Sequence, residues 1–489
     1  MKKFVKYSII LIFSLTAFTS CDESFLDLSH PGRLTYDKFY TTEADFQASL
    51  NACYFSLKNQ VSQLLVFNDL MTDNTFLNIY NNTSDTYFFD SNNVPTNSST
   101  LKSFWQAGFR TIMLTNMVIS RIGDSNVPEG SKKVFTSEAK FIRAYTYFNL
   151  VRIFGGVPKY DHEIADINLF YNVSRSTKNE IYDFIVSDLK SALNIDSERT
   201  PQQLASSKGK VNSTVVKALL GKVYLQKMDY ANASSVISDI VSNSSFSLEP
   251  DLNNIYDAQK PFNKEIIFAI NYERVSGQNS PFTYWTLPKF SRGILPKVTS
   301  SDNGNGDYNI EPAIVKKFLS SDKRRKLIDS IDIVQGSSSI KYYYTKKYLD
   351  LGTTAEIYSA SDFIVLRYAD VLLMYADALN QTNKTSDAYQ YINKVRERAG
   401  LASLPAGYTK DQMNDAIAKE RQLEFVLEGD RWFDLSSRGF AYLKKTLNDA
   451  APNSYIQKTA TIEDKEELFP IPADEVLLKP GVLVQNPGY

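Results

Sequence analysis

A group of carboxylates near the C-terminus has the residue types and spacing for acid–base chemistry. They lie in the segment KERQLEFVLEGDRWFDL, where Glu420, Glu424 and Glu428 recur at four-residue steps and so share one face of a helix. Asp430 and Asp434 follow closely. A glycosidase uses two carboxylates about 5 to 9 Å apart, one of them with a pKa raised by its surroundings. A lipid-anchored glycosidase is therefore one hypothesis for this chain.

Cations interleaved with these carboxylates favour a structural interpretation. Lys419, Arg421 and Arg431 would neutralise the acidic side chains and hold their pKa values low, whereas a general acid needs a raised pKa. We interpret the segment as an ion-pair network that ends a helix, with Trp432 packed beneath it.

Other catalytic and metal-binding chemistries find little support. The chain holds two histidines, His30 and His162, and two cysteines, Cys21 and Cys53. These are too few for a Cys/His zinc site, and they make a Ser-His or Cys-His nucleophile hard to assemble. The run 302–307 offers oxygen ligands but lacks the glycine and glutamate of an EF-hand loop at the required positions, so we interpret it as a flexible turn. We expect no catalytic residue, no metal and no cofactor.

Arg367 is a charged residue that directly follows an apolar run. It follows Phe363-Ile364-Val365-Leu366 at the start of a predicted buried helix, where a cation requires a carboxylate or a ligand. Asp370 or Asp73 could be its partner. A place at the floor of a ligand pocket is the other interpretation, and both stay open.

Aromatic side chains are the positive signal for binding, since 30 Tyr and 30 Phe raise the aromatic fraction to 13%. Most of them are expected in the core, because rings bury large areas. Trp285, next to Tyr284, could either pack within its segment or offer a flat face on which a sugar ring stacks. The polar, Asn-rich stretch 73–100 presents Tyr80, Tyr87 and Phe88, and we interpret it as a loop with candidate ligand contacts.

Helical periodicity predicts the elements that position these residues. Gly221 and Ala233, and again Ala376 and Ala388, lie twelve residues apart on consecutive predicted helices, as the small residues of tetratricopeptide-type hairpins do. A mostly α-helical repeat scaffold is therefore predicted. The predicted helices span residues 41–58, 103–122, 134–154, 211–228, 230–241, 363–379, 386–399 and 410–428.

The chain divides into four predicted regions. Residues 1–20, with lysines before an apolar run of about a dozen residues, are predicted to be a signal peptide, and Cys21 is predicted to carry a lipid. Helical regions are predicted over 21–242 and 363–489, the latter ending in a Pro-rich extended tail. Residues 243–362 alternate strand-like runs with Gly, Pro and Ser, and are predicted to be an irregular insertion that contributes to a ligand site.

The overall charge argues against one class of partner. The 54 Lys and Arg and 55 Asp and Glu give a net charge of -1 without a basic block. The electrostatic footprint of a nucleic-acid-binding protein is missing, so nucleic acid is not an expected partner.

Several segments together resemble the SusD/RagB lipoproteins of Bacteroidetes. They are Cys21 followed by Phe-Leu-Asp, then FIRAYTYFNLVRIFGGVP, LRYADVLLMYADALN, INKVRERAGL, KERQLEFVLEGDRWFDL and LFPIPADEV, with QNPGY at the end. They occur in the family's order across nearly the whole chain. The insertion and the loop after Asp73 carry no motif that can be aligned, and ligand choice is expected there.

The resemblance implies a mostly helical, non-catalytic protein built on tetratricopeptide-like units. Such a protein is anchored by lipid to the outer membrane at the cell surface, captures a glycan and delivers it to a SusC-like TonB-dependent transporter. A peptide-binding, RagB-like protein is the alternative within the binding class. The residues predicted to contact the ligand are Asp73, Asn74, Tyr80, Tyr87, Phe88, Tyr284, Trp285, Arg292 and Arg367.

Overall fold

The computed structural model describes residues 39–78, 85–199, 209–243, 246–298, 304–335, 338–355, 357–450 and 461–489. The predicted signal peptide, the lipid site at Cys21 and the candidate contact Tyr80 lie outside the described residues, as does part of the run 302–307. Within the described ranges no helix is both long and apolar enough to cross a membrane.

The described part of the chain is mostly helical, which confirms the predicted fold class. Its helices are α1 Glu43–Val61, α2 Thr86–Asp90, α3 Ser99–Arg121, α4 Glu129–Phe154, α5 Ile167–Asn172, α6 Lys178–Ala192, α7 Ser213–Gln226, α8 Tyr230–Asn243, α9 Leu252–Ile255, α10 Phe282–Thr286, α11 Pro312–Val315, α12 Tyr368–Gln381, α13 Thr385–Arg398, α14 Lys410–Glu424, α15 Arg431–Ser436, α16 Phe440–Asn448 and α17 Ala473–Leu478.

Local sequence explains where the long helices begin and end. Thr42, Thr177 and Thr409 open α1, α6 and α14, each in a capping box with the residue three positions later. Helix α4 ends just before Gly155, which has a φ of 72°. Glycine adopts this left-handed conformation without steric cost. The next residue, Gly156, also needs its small size, because a Cβ there would lie 2.2 Å from the carbonyl oxygen of Ser176.

Helices α1, α3, α4, α6 and α7 surround the main hydrophobic core. Helix α4 is buried on nearly every face of its second half, from Phe141 to Phe154. Helices α12, α13 and α14 enclose a second core around Leu372, Ile392 and Ile417. The paired helices approach closely at small residues, since Gly221 contacts Ile237 across α7 and α8 and Ala376 and Ala388 are fully buried between α12 and α13.

Two antiparallel sheets complete the described part of the fold. One has the strand order β1 (Thr75–Phe76), β3 (Asn309–Ile310), β5 (Ser338–Thr345) and β4 (Ile328–Gln335). The other pairs β2 (Ile266–Ile270) with β6 (Phe363–Arg367). The first sheet joins the loop after Asp73 to the segment predicted to be an irregular insertion.

The structure corrects three element predictions. Residues 363–367 form strand β6 and not a helix, because their large and β-branched side chains pair with β2, and α12 begins only at Tyr368. Helix α14 ends at Glu424 and not at Glu428, since Leu427 adopts a left-handed φ of 59°. The stretch 73–100 is not all loop, because it holds β1, α2 and the start of α3.

Candidate functional site

Segments distant in sequence meet at the ladder between β1 and β3. Thr75 pairs with Ile310 and Phe76 with Asn309, and just beyond the ladder the backbone N–H of Asn78 donates to the carbonyl of Gly306 at 3.0 Å. Gly306 adopts a φ of 68°, and a Cβ at this position would lie 2.9 Å from Nδ2 of Asn78. The fold thus places the loop after Asp73 against the segment that carries Trp285.

Helix α10 presents Tyr284 and Trp285 at this junction, both half-buried. The indole of Trp285 packs edge-on against Phe282, with ring centroids 5.9 Å apart, and lies 6.4 Å from the ring of Tyr308. The backbone carbonyl of Trp285 accepts a hydrogen bond from the N–H of Asp307 at 2.9 Å. The indole therefore packs against two neighbouring rings, while the residue as a whole is only half-buried.

Polar residues are joined to Tyr284 and Trp285 through backbone hydrogen bonds. The N–H of Asn305 donates to the carbonyl of Tyr284 at 2.8 Å, and Nδ2 of Asn305 donates to Asp307 at 2.8 Å. Arg292 is exposed a few residues further on. We call Tyr284, Trp285, Arg292, Asn305 and Asp307 the α10 rim. An aromatic ring can stack on a sugar, and amide, carboxylate and guanidinium groups such as these can hydrogen-bond its hydroxyls.

Phe290 adds a further aromatic side chain next to the rim. It adopts a φ of 65°, is 44% exposed, and its carbonyl accepts from the N–H of Arg292 at 3.0 Å. A bulky residue in the left-handed region is uncommon, and such positions are often functional.

Tyr87 and Phe88 form a separate aromatic pair on α2. Their ring centroids are 6.4 Å apart, and Phe88 is 38% exposed. The ring contacts of Trp285 are with Phe282 and Tyr308, so the structure does not bring the α2 pair into ring contact with Trp285. Helix α2 is nevertheless linked to the segment after β1, because the carboxylate of Asp90 accepts from the backbone N–H of Leu77 at 3.2 Å.

Asp73 lies at the other end of the ladder, on the wall of a cleft of about 740 Å³. Its carboxylate accepts from Nε of Arg431 at 2.9 Å and from Gln422 at 2.7 Å, and Nζ of Lys317 is 3.5 Å away. Burial alone would raise the pKa of Asp73, but Arg431 and Lys317 outweigh it and lower the pKa to about 2. The carboxylate is thus ionised and already engaged.

Asn74 points inward and not into that cleft. Its Nδ2 donates to Asp69 at 2.9 Å, and Asp69 in turn accepts from the backbone N–H groups of Leu427 and Gly429 at 3.1 and 2.9 Å. Burial raises the pKa of Asp69 to about 6, although these donors act against the rise. The two side chains hold the turn between α14 and α15 in place.

Arg367 is fully buried in the ion-pair network and has other partners than the predicted Asp370 or Asp73. Its guanidinium contacts Glu265 at 2.8 Å, Glu424 at 2.6 Å and Glu428 at 2.8 Å. Asp370 is instead paired with Arg421 at 2.8 Å. The observed geometry supports the structural pairing of this residue.

The ion-pair network around Arg367 includes Glu424 and Glu428, two of the carboxylates on which the glycosidase hypothesis depends. Burial would raise the pKa of Glu424, but Arg398 and Arg367 hold it well below its usual range. Glu428 is held low in the same way by Arg367 and Lys347. A general acid needs the opposite shift, so these carboxylates have the environment of structural ion pairs.

Sequence reasoning missed several side chains at these places. Asn305 and Asp307 were treated only as part of a flexible turn, and Lys317 and Lys419 were not considered as neighbours of Asp73. Lys317 and Lys419 are about a hundred residues apart, and only the packing of α14 against the segment after α11 brings them together. The left-handed backbone conformation of Phe290 could not be predicted from the sequence.

Two family models match the chain. One is described as the SusD family and covers residues 329–489, and the other is described as "Starch-binding associating with outer membrane" and covers residues 24–225. A SusD-like protein of Formosa agariphila is 28% identical over 99% of this chain and 100% of its own length. A SusD-like protein of Bacteroides ovatus is 26% identical over 92% of this chain and 85% of its own length.

Solved structures show the same fold. The surface glycan-binding protein A of Bacteroides thetaiotaomicron, in complex with laminarihexaose, has a TM-score of 0.76 at 20% identity and covers 91% of this chain and 100% of that chain. A laminarin-binding SusD-like protein has a TM-score of 0.75 at 23% identity, covering 92% of this chain and 100% of that chain.

Proposed function

This chain belongs to the SusD/RagB family, and from that premise we propose that it is a non-catalytic protein that binds a glycan. The α10 rim, Tyr284, Trp285, Arg292, Asn305 and Asp307, is the proposed contact surface, with Tyr87 and Phe88 at its edge. The observation that carries the proposal is the half-buried Trp285, whose indole packs edge-on against Phe282 and whose backbone carbonyl accepts from the N–H of Asp307.

The relatives support the class of ligand. One structural neighbour is a surface glycan-binding protein with laminarihexaose bound, and another is named a laminarin-binding protein. Stacking of a sugar on a ring is a general means of glycan recognition, because the apolar face of the sugar is removed from water while its hydroxyls reach polar side chains.

We further propose that the mature protein is attached to the outer membrane through a lipid on Cys21 and delivers its ligand to a SusC-like TonB-dependent transporter. The location is supported by the family model that matches residues 24–225, because its description mentions association with the outer membrane. Replacement of Cys21 by serine tests the anchor, since the variant should leave the membrane fraction of cells. Retention of the variant in that fraction would contradict the proposal.

The glycan proposal is tested by isothermal titration calorimetry on the mature chain with Cys21→Ser. Laminarin, starch and other polysaccharides are titrated alongside a mixed peptide digest. We expect binding to at least one glycan and none to the digest. Binding to peptides alone would replace the proposal with the RagB-like alternative. Release of reducing ends from a bound glycan would point to a glycosidase.

A further inference from the structure

Phe290 adopts a backbone conformation that its residue type disfavours. Its φ of 65° lies in the left-handed region, where the Cβ of any residue other than glycine crowds the backbone. Its side chain is also 44% exposed, so burial of the ring offsets only part of this strain. A glycine in the same turn would avoid both the strain and the exposed ring. The fold therefore gains little from a phenylalanine at this position.

Phe290 also differs from the other residues with this kind of backbone. In the part of the chain that the structure describes, four more non-glycine residues have a positive φ: Asn92, Met228, Asn383 and Leu427. Each lies two or three residues after the last residue of a helix, where a left-handed residue commonly ends the helix. Helix α10 has already ended before Phe290, because Leu287 is extended with a ψ of 135°. Helix termination therefore does not account for the conformation of Phe290.

The turn that carries Phe290 is fixed on both sides. Leu287 and Ser291 flank it and are 1% and 0% exposed. The carbonyl of Leu287 accepts a hydrogen bond from the N–H of Gly306 at 2.8 Å. Gly306 belongs to the segment 304–307, whose backbone N–H groups also donate to carbonyls of α10. The ring of Phe290 is therefore carried on backbone that is tied directly to the proposed glycan surface.

We propose that Phe290 is a second aromatic contact for the glycan and gives the protein a preference for longer oligosaccharides. The inference rests on the glycan binding proposed above and adds the length of the ligand. Trp285 and Phe290 are five residues apart, so their Cα atoms are separated by at most about 18 Å, which an oligosaccharide of several units can span. Nζ of Lys289 lies 6.0 Å from the centroid of the Phe290 ring and places a hydrogen-bond donor near it. A side chain that the fold does not need, held in a strained backbone beside a binding surface, is typical of a functional residue.

Phe290→Gly removes the ring and the strain together, so a loss of binding can be separated from a loss of structure. Glycine enters the left-handed region freely, and the midpoint of thermal unfolding should therefore not fall. Met228→Gly is the matched control, because Met228 has a φ of 59°, is 48% exposed and lies in the turn after α7. This control should also keep its unfolding temperature, and it should bind as the parent protein does. Phe290→Tyr retains the ring and should bind normally as well.

Isothermal titrations of these variants use the mature chain with Cys21→Ser. The probes are the trisaccharide and the hexasaccharide of the laminarin, starch, cellulose, xylan and mannan series. We expect the parent protein to bind the hexasaccharide of at least one series more tightly than its trisaccharide. Phe290→Gly should weaken binding of that hexasaccharide about tenfold and leave the affinity for the trisaccharide unchanged.

The other outcomes would each count against the inference in a different way. A Phe290→Gly variant that binds the hexasaccharide like the parent protein would overturn it and leave the proposed function standing. An equal loss of affinity for both sizes would show that Phe290 does not select for length. A fall in unfolding temperature together with the affinity would make Phe290 a structural residue. Binding of neither size in any series would overturn the proposed function and this inference together.

Discussion

Nη1 of Arg367 lies 2.6 Å from Oε1 of Glu424, and both side chains are 1% exposed. The pair joins the last residue of β6 to the last residue of α14. Glu265, immediately before β2, contacts the same guanidinium at 2.8 Å. A buried guanidinium is thus the centre at which the two-stranded sheet and the C-terminal helices meet.

Arg367→Met is expected to destabilise the protein by about 3 to 5 kcal/mol, because it leaves Glu265, Glu424 and Glu428 buried with fewer partners. Urea unfolding measures the change, with Arg110→Met, an exposed residue of α3, as the control. Unchanged stability combined with lost glycan binding would instead place Arg367 in a ligand pocket.

Asp73 makes stability depend on pH at the acidic end. Its pKa of about 2 in the folded protein lies below the ordinary value of 3.8, so the unfolded chain binds more protons between these two pH values. The stability that Asp73 contributes is therefore present above pH 3.8 and is lost as the pH falls toward 2. We expect Asp73→Asn to be less stable by about 2 kcal/mol at pH 7 and to approach the parent protein near pH 2.

Urea unfolding of both proteins at several pH values tests this expectation. Asp124→Asn, at an exposed position in the turn after α3, serves as the control and should follow the parent protein at every pH. A stability difference for Asp73→Asn that stays the same from pH 7 to pH 2 would mean that the ion pairs with Arg431 and Lys317 do not set it.

Local patterns in the sequence account for the helices but not for the contacts between distant segments. The capping residues Thr42 and Thr409 and the Gly-Gly end of α4 are local features, and the ends that they mark were predicted to within a few residues. Helix α6 was not predicted, although Thr177 opens it with the same kind of capping box. Strand β6 was missed because its run of apolar residues continues without a break into the periodic pattern of α12. A short apolar run does not by itself distinguish a strand from a buried helix.

The candidate site could be predicted only in part, for the same reason. The sequence indicated Trp285 as a possible platform, and the structure leaves it half-exposed. It could not show that Asn74 turns inward to Asp69, or that the backbone N–H groups of Asn305 and Asp307 donate to the carbonyls of Tyr284 and Trp285. Those relationships depend on the two-residue ladder between β1 and β3, which is too short to leave a strand pattern.

Gly221 is predicted to be essential to the pairing of α7 and α8. A Cβ there would lie 2.5 Å from Cγ1 of Ile237, whose β-branched side chain has little freedom to move in a helix. Gly221→Ala should destabilise by about 1 to 3 kcal/mol, in spite of the better helix propensity of alanine. Gly123→Ala, where a Cβ meets nothing within 4 Å, should be neutral.

A double-mutant cycle separates the steric clash from other effects of Gly221→Ala. Ile237→Ala removes the atoms that the new methyl group would meet, so Gly221→Ala should cost much less in that background. Thermal unfolding of the four proteins gives the coupling. Equal costs in the two backgrounds would show that the contact with Ile237 is not the cause.

The aromatic side chains of the proposed glycan surface are expected to differ in importance. Trp285→Ala should weaken binding of a glycan at least tenfold, because the sugar loses the apolar face on which it stacks. Phe55→Ala, which removes an aromatic side chain of α1 that is 50% exposed, is the matched control and should bind normally. Unfolding curves for each variant separate lost contact from lost structure.

Tyr87→Ala shows whether the ligand also reaches α2. Since the rings of Tyr87 and Trp285 do not touch, their effects on binding free energy should add when one glycan contacts both. A Tyr87 variant that binds like the parent protein would confine the ligand to the α10 rim. If Trp285→Ala folds and binds normally while Tyr87→Ala does not, the proposed centre of the site is wrong and lies on α2.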